Sequence, residues 1–216
     1  MDGAAYHVLS RGNRKQTIFH KPGDYLAFLG ILEEAAARFD MPLCGVCLMS
    51  NHIHLVLWPD KADTISAYMH WVLNAHVHRY HRHYNLTGWG HLYQDRYKAF
   101  PIQDDRHLYT VIRYVEANPI RAGLIQRAED WEWSSASLRN KPGWRDILAN
   151  DGRLQLPADW LSIVNQSLPK SQLAALRQSA RRGDPFGDAD WVNRVSKNRR
   201  KRSGRRAETE KGGQAP

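Results

Sequence analysis

Two imidazoles lie two residues apart in Asn51-His52-Ile53-His54-Leu55-Val56-Leu57. On an extended strand that spacing puts His52 and His54 on one face and turns Ile53 and Leu55 to the other. Such a pair can hold one divalent cation; it can equally be two ordinary strand histidines in a chain with 11 of them. Further on, Tyr114 and Asn118 stand four residues apart on a helical pattern and so share a face. At about 100° per residue that face borders the apolar stripe, which suits a side chain with a packed stem and a polar tip in a cleft. It also suits a plain boundary tyrosine followed by a capping asparagine. Taken together, a metal-binding strand and a helical tyrosine are the parts needed to cut DNA through a covalent phosphotyrosine. A cation would draw charge from the phosphate, and the phenol oxygen would attack phosphorus. A free phenol has a pKa of about 10, so it needs that help.

Those residues must be positioned by a frame that the periodicity outlines. Ala5 to Ser10 reads as a strand, followed by the basic loop Arg11-Gly12-Asn13-Arg14-Lys15. Tyr25, Phe28, Leu29, Leu32, Ala36 and Phe39 recur at helical spacing. Residues 42–49 and 52–58 form two apolar runs around a Ser50-Asn51 turn. A second helix should run from Asp63, as its cap, to about Tyr84. Tyr97 to Gln103 reads as a strand that Pro101 confines to an edge or bulge. Asp104 or Asp105 caps a third helix with the stripe Leu108, Val111, Ile112 and Val115, and Pro119 should end or kink it at Asn118. The order predicts an α+β fold.

Cys44 and Cys47 are the only cysteines. They lie in an apolar run that reads as a buried strand, so they are expected to be packed thiols on opposite faces rather than a redox pair at a helix N-terminus. With no disulfide framework, no apolar run approaching ~20 residues and no signal peptide, the chain is expected in the cytoplasm, without a membrane partner. Hydrophobic residues make up 42% and charged residues 25%, which excludes a disordered or fibrous chain. The net charge of +9 favours a polyanion. Nine basic and two acidic residues fall in 194–216, leaving only +2 for the first 193 residues. That segment, with Arg199-Arg200-Lys201-Arg202, is expected to be a disordered basic tail.

Several ordered stretches resemble one family. Tyr6-His7-Val8-Leu9-Ser10-Arg11-Gly12-Asn13, Met49-Ser50-Asn51-His52-Ile53-His54-Leu55-Val56, Gly90-His91-Leu92-Tyr93-Gln94-Asp95-Arg96-Tyr97-Lys98 and the run from Arg113 to Leu124 are similar to the REP-associated tyrosine transposases of the single-tyrosine HUH superfamily. Asp130 to Ser135 and Pro185-Phe186-Gly187 with Trp191-Val192 resemble segments of the family's C-terminal part. The resemblance implies a ferredoxin-like antiparallel sheet with helices on one face, plus a helical C-terminal extension. It implies that Tyr114 is the nucleophile and that His52, His54 and Asn118 hold Mg²⁺ or Mn²⁺. Two imidazoles suit Mn²⁺ better, while abundance favours Mg²⁺. The implied reaction is cleavage and rejoining of single-stranded DNA beside a hairpin, through a 5′-phosphotyrosine, by a monomer or homodimer associated with a bacterial nucleoid. Only Met1 to Ala4 precede the first strand, fewer residues than family members generally carry there.

The DNA-binding candidates are Arg11, Arg14 and Lys15 after the first strand, Arg79 and Arg82 on the second helix, Gln94, Arg96 and Lys98 in the third motif, and Arg121. Trp71, Trp89 and Tyr93 could stack on unpaired bases or simply fill the core. The histidine-rich end of the second helix, His76 to His83, could bind a second metal or form a solvated helix end. The expected organisation is a nuclease domain over 1–128, a helical extension over 129–193 docked by Trp131, Trp133, Trp144 and Trp160, and the tail over 194–216. Two rival readings remain: a domesticated module that binds hairpin DNA or RNA without cutting, and a metal-dependent RNA nuclease.

Overall fold

Residues 1–86, 88, 90–148 and 152–198 are described in the computed structural model. Strands β1 (Tyr6–Arg11), β2 (Leu43–Met49), β3 (His52–Leu57) and β4 (Lys98–Pro101) form an antiparallel sheet in the order β2-β3-β1-β4. Helix α1 (Pro22–Arg38) joins β1 to β2, and α2 (Thr64–His83) joins β3 to β4. This is the βαββαβ connectivity of a ferredoxin-like fold. Pro101 lies on the edge strand, where its missing N–H costs no sheet bond.

Alternation along the central strands separates two cores. Ile53, Leu55 and Leu57 of β3 pack with Phe28 and Leu32 of α1 and Tyr68, Met69 and Val72 of α2. Val56, Cys47 and Met49 face the other way, onto Val111, Ile112 and Val115 of α3 (Asp105–Glu116). The expectation of helices on one face therefore holds for α1 and α2 only. Helix α3 covers the opposite face, because that face also carries apolar residues and α3 has a stripe to bury against them. Asp104 caps α3, accepting from the His107 N–H at 3.0 Å. Asp63 precedes α2 but makes no side-chain cap bond. Helix α3 stops at Glu116, and Pro119 restarts a short α4 (Asn118–Arg121) after the break.

Both thiols are fully buried, yet Cys44 and Cys47 lie in the same core. A register irregularity between Leu43 and Gly45 inserts an extra residue, which resets the alternation expected of a regular strand.

The chain beyond residue 128 packs along β2 and α3. The Leu48 N–H donates to Trp133 O at 2.9 Å, and Trp131 Nε1 donates to Leu48 O at 2.9 Å. Short helices α5 (Ser135–Leu138), α6 (Trp144–Ile147) and α7 (Trp160–Asn165) follow, then α8 (Lys170–Arg182). Trp144 and Trp160 are buried. A carboxylate ties this segment down: Glu116, with no exposed surface, accepts from Ser135 Oγ at 2.6 Å, Arg139 Nη2 at 2.9 Å and Trp160 Nε1 at 2.7 Å. Residues 189–198 are helical, so 194–198 continue a helix instead of opening a disordered tail. Arg199 to Arg202 and the rest of the tail lie outside the described residues.

Candidate active site

His52 and His54 occupy the α3-facing side of β3, and Tyr114 reaches them from α3. The His52 and His54 ring centres are 4.9 Å apart, and the Tyr114 ring is 6.1 Å from that of His54. Together with Asn118 they line a cavity of about 440 Å³. Tyr114 is 8% exposed, so its ring is packed while it still borders the cavity.

The hydrogen bonds set the His52 tautomer and orient the His54 ring. Asn51 Nδ2 donates to Lys15 O at 3.2 Å, which turns Asn51 Oδ1 toward His52 to accept from its Nδ1–H at 2.7 Å. The lone pair of His52 then lies on Nε2, where Asn118 Nδ2 approaches at 3.3 Å. His54 Nδ1 is 2.8 Å from His7 Nε2 on β1. With the proton on His54 Nδ1, its Nε2 is likewise a free donor atom, and His7 Nδ1 carries a buried N–H with no partner. Burial, aided by the Arg11 charge, lowers the His52 pKa to about 4. Burial, followed by the neighbouring imidazoles His52 and His7 and then by Arg121 and Arg11, holds His54 well below its ordinary value. At neutral pH both rings are uncharged, as a metal ligand requires. Two imidazole nitrogens and one carboxamide oxygen fit a divalent cation, provided the Asn118 amide flips to present Oδ1. Among the described residues no cluster of three or more His, Cys, Asp or Glu is arranged for a metal, so a third protein donor beside the two imidazoles would be the amide. The same holds for the histidine-rich end of α2, where His76 is instead buried with its Nδ1 2.6 Å from the Tyr93 hydroxyl.

The basic candidates divide by location. Arg11, Gln94, Arg96 and Lys98 line the cavity that holds Tyr114 and the two histidines. Arg14 and Lys15 sit in a loop whose backbone is bonded to Asn51, beside the turn that carries His52. Arg79 pairs with Glu34 of α1 at 2.7 Å, and Arg82 borders a separate cavity between the ends of α1 and α2, on the other side of the sheet. Arg121 is not among the cavity-lining side chains; it stacks on the Tyr114 ring with its guanidinium 4.0 Å from the centroid. Tyr93 is buried and bonded to His76, and Trp71 packs beside Phe39 under Arg38, so both belong largely to the frame. Trp89 lies outside the described residues.

Three participants were not anticipated. His7 was legible in principle, since alternation along β1 puts residues 7, 9 and 11 on one face and the register sets Leu9 opposite His54. Arg177 and Arg181 of α8 also line the cavity, but their helix carries no local mark of the site it joins.

Residues 1–118 match the family described as Transposase IS200 like. The chain belongs to the IS200-like transposase family. Within that family it is similar to a Haemophilus influenzae protein assigned as a REP-associated tyrosine transposase, 23% identical over 121 residues that cover 52% of this chain and 69% of that one. Among solved structures it resembles a REP-associated tyrosine transposase bound to a REP hairpin, with a TM-score of 0.55 and 14% identity over 78% of this chain and 88% of the other. That likeness bears on the fold. A transposase from Deinococcus radiodurans is more distant, with a TM-score of 0.38 and 20% identity over 53% of this chain and 88% of that one. Among the described residues of this IS200-like transposase, no helix is long and apolar enough to cross a membrane.

Proposed function

We propose that this IS200-like transposase cleaves and rejoins single-stranded DNA beside a hairpin, with Tyr114 as nucleophile. The observation that carries the reading is the convergence of Tyr114 with two neutral imidazoles in one basic cavity. The phenol gives up its proton to solvent as Oη bonds to phosphorus, and the bond from phosphorus to the 3′-oxygen breaks. The 3′-oxygen takes a proton from solvent and leaves as a hydroxyl, and the DNA is held as a 5′-phosphotyrosine. Attack by a 3′-hydroxyl on that linkage restores the phosphodiester and the phenol.

His52 Nε2, His54 Nε2 and Asn118 Oδ1 would hold Mg²⁺ or Mn²⁺. When bound, the ion withdraws charge from the phosphate. Asn51 keeps Nε2 of His52 unprotonated, and His7 orients the His54 ring through its Nδ1. The hairpin partner of the REP-associated relative supports a hairpin substrate here.

Hairpin oligonucleotides with a single-stranded flank, in DNA and RNA form, test this with Mn²⁺, Mg²⁺ or a chelator. The expected result is a protein–DNA adduct on a denaturing gel that needs a divalent ion and is absent in Tyr114→Phe. An adduct in that variant overturns the nucleophile. Undiminished cleavage by a His52→Ala, His54→Ala double variant overturns the metal site. Binding without cleavage under all conditions favours a non-catalytic hairpin-binding protein, and cleavage of RNA alone favours a nuclease of RNA.

A further inference from the structure

Helix α8 is bound tightly to the catalytic core although it lies far from it in sequence. Leu176 and Ser179 are its buried residues, and Leu176 joins the core beneath α3. Its C-terminus is closed by Gly183 in the left-handed region at φ 75°, with Ser179 Oγ donating to Asp184 O at 2.6 Å. The Phe186 N–H then donates to Pro101 O at 3.0 Å, and the Gln103 N–H to Phe186 O at 3.1 Å, stitching the chain to the end of β4. Lys98 Nζ donates to Arg181 O at 3.1 Å, so the last turn of α8 is held directly over β4.

The face so presented carries Arg177 and Arg181, four residues apart, with the small Ala180 beside them. All three line the cavity that holds Tyr114 and the histidines. Neither arginine forms a salt bridge with a carboxylate among the described residues. Arg11, Arg96 and Lys98 line the same cavity, against the single acid Asp95. Five cations around one cavity with a single carboxylate among them leave an excess of positive charge, which an entering anion neutralises. Burial lowers Arg121 below its ordinary value, and the Arg177 charge acts in the same direction.

We infer that Arg177 and Arg181 form a clamp for backbone phosphate of the single strand that leaves the hairpin and runs through the cavity. The ligand class is a phosphodiester of single-stranded nucleic acid, read without regard to base. The inference rests on the proposed hairpin-flank substrate and adds the C-terminal segment to its binding surface. Guanidinium forks at this spacing can each take one phosphate by paired N–H donors, fixing the path of the strand past Tyr114.

The test compares full-length wild type with Arg177→Ala, Arg181→Ala, the double variant and the paired lysine variants. Binding is measured across a salt series on two DNA probes: the hairpin alone, and the hairpin with its single-stranded flank. The double alanine variant should bind the flanked hairpin about tenfold more weakly, and its log–log salt slope should be shallower by about 1.4–1.8, the equivalent of two phosphate contacts. Its affinity for the bare hairpin should not change, and lysine should restore most of the salt slope. Equal losses on both probes, an unchanged slope on the flanked probe, or faster cleavage by the double variant would overturn the clamp, the last by showing that α8 obstructs the cavity. If wild type fails to cleave but the flank-specific slope change persists, the clamp stands and the catalytic reading falls. If cleavage persists with no slope change, the catalytic reading stands and the clamp falls.

Discussion

The Arg121 guanidinium lies 4.0 Å from the centre of the Tyr114 ring while its Nη2 donates to the Tyr114 carbonyl oxygen at 2.6 Å. One side chain thus holds both the ring and the backbone of the candidate nucleophile. Arg121→Lys keeps the charge and loses the planar stack and the fork. Cleavage of a flanked hairpin under single-turnover conditions should slow by about tenfold or more in this variant, with affinity changed little. Loss of affinity without loss of rate would mean that Arg121 serves DNA binding alone.

Glu116 should matter to stability more than any surface ion pair. Its carboxylate is wholly enclosed and joins α3 to α5 and α7, and Arg139 is its charged partner. Removing one side of a buried pair leaves the other uncompensated, at a cost of about 3–5 kcal/mol. Glu116→Ala should therefore lower the melting temperature by roughly 6–20 °C for a chain of this size. A fall of a degree or two would show that solvent reaches Arg139 freely.

Acid should destabilise the metal-free protein well before its carboxylates titrate. Burial among Phe19, Phe28 and Tyr93 lowers the His76 pKa to about 3. Below its ordinary value of about 6.5 the unfolded chain takes up a proton that the folded chain refuses. The contribution of His76 is thus complete above that value and lost progressively as pH falls toward 3. His7 and His52 act in the same direction, reaching about 3 and about 4. Thermal unfolding without divalent ions should give a clearly lower melting temperature at about pH 5 than at pH 7.5, and His76→Gln should flatten part of that dependence. A flat profile in wild type would contradict the burial of these rings.

The thiols should be inert in the native state. Cys44 and Cys47 have no exposed surface, and burial pushes the Cys47 thiol well above its usual range. A chromogenic disulfide reagent at mildly alkaline pH should react with neither until denaturant is added. Rapid reaction of two equivalents in native protein would mean that β2 opens readily.

Deleting residues 199–216 should weaken binding to hairpin DNA and reduce its salt dependence without moving the cut, since the deletion removes seven basic residues and leaves the cavity intact. A shifted cut position would give the tail a part in selecting the site.

Legibility in the sequence followed the range of the interactions. Strand alternation alone put His52 and His54 on one face, and helical spacing put Tyr114 with Asn118, because both patterns repeat within a few residues. Joining those two pairs into one site came from resemblance, not from spacing. Cys44 fell outside the pattern because a bulge adds a residue to the repeat, and only the opposing strand reveals it. Asp63 offered a capping side chain, but it accepts no bond from the first turn of α2. Arg79 looked like any exposed cation until α1 brought Glu34 to it. Arg177 and Arg181 were silent for the same reason: what gives them meaning is β4, reached only through tertiary packing.

The order in which the parts are made has its own consequence. Synthesis delivers His7 first, then the β3 histidines, then Tyr114, and only later α8 with Arg177 and Arg181. A chain still on the ribosome can thus hold the histidines and the tyrosine while one wall of their cavity is unmade. If that wall guides the strand, competence to act on DNA arrives only with the folding of α8, and an aborted translation product that ends before residue 170 should cleave poorly even with its histidines and tyrosine intact.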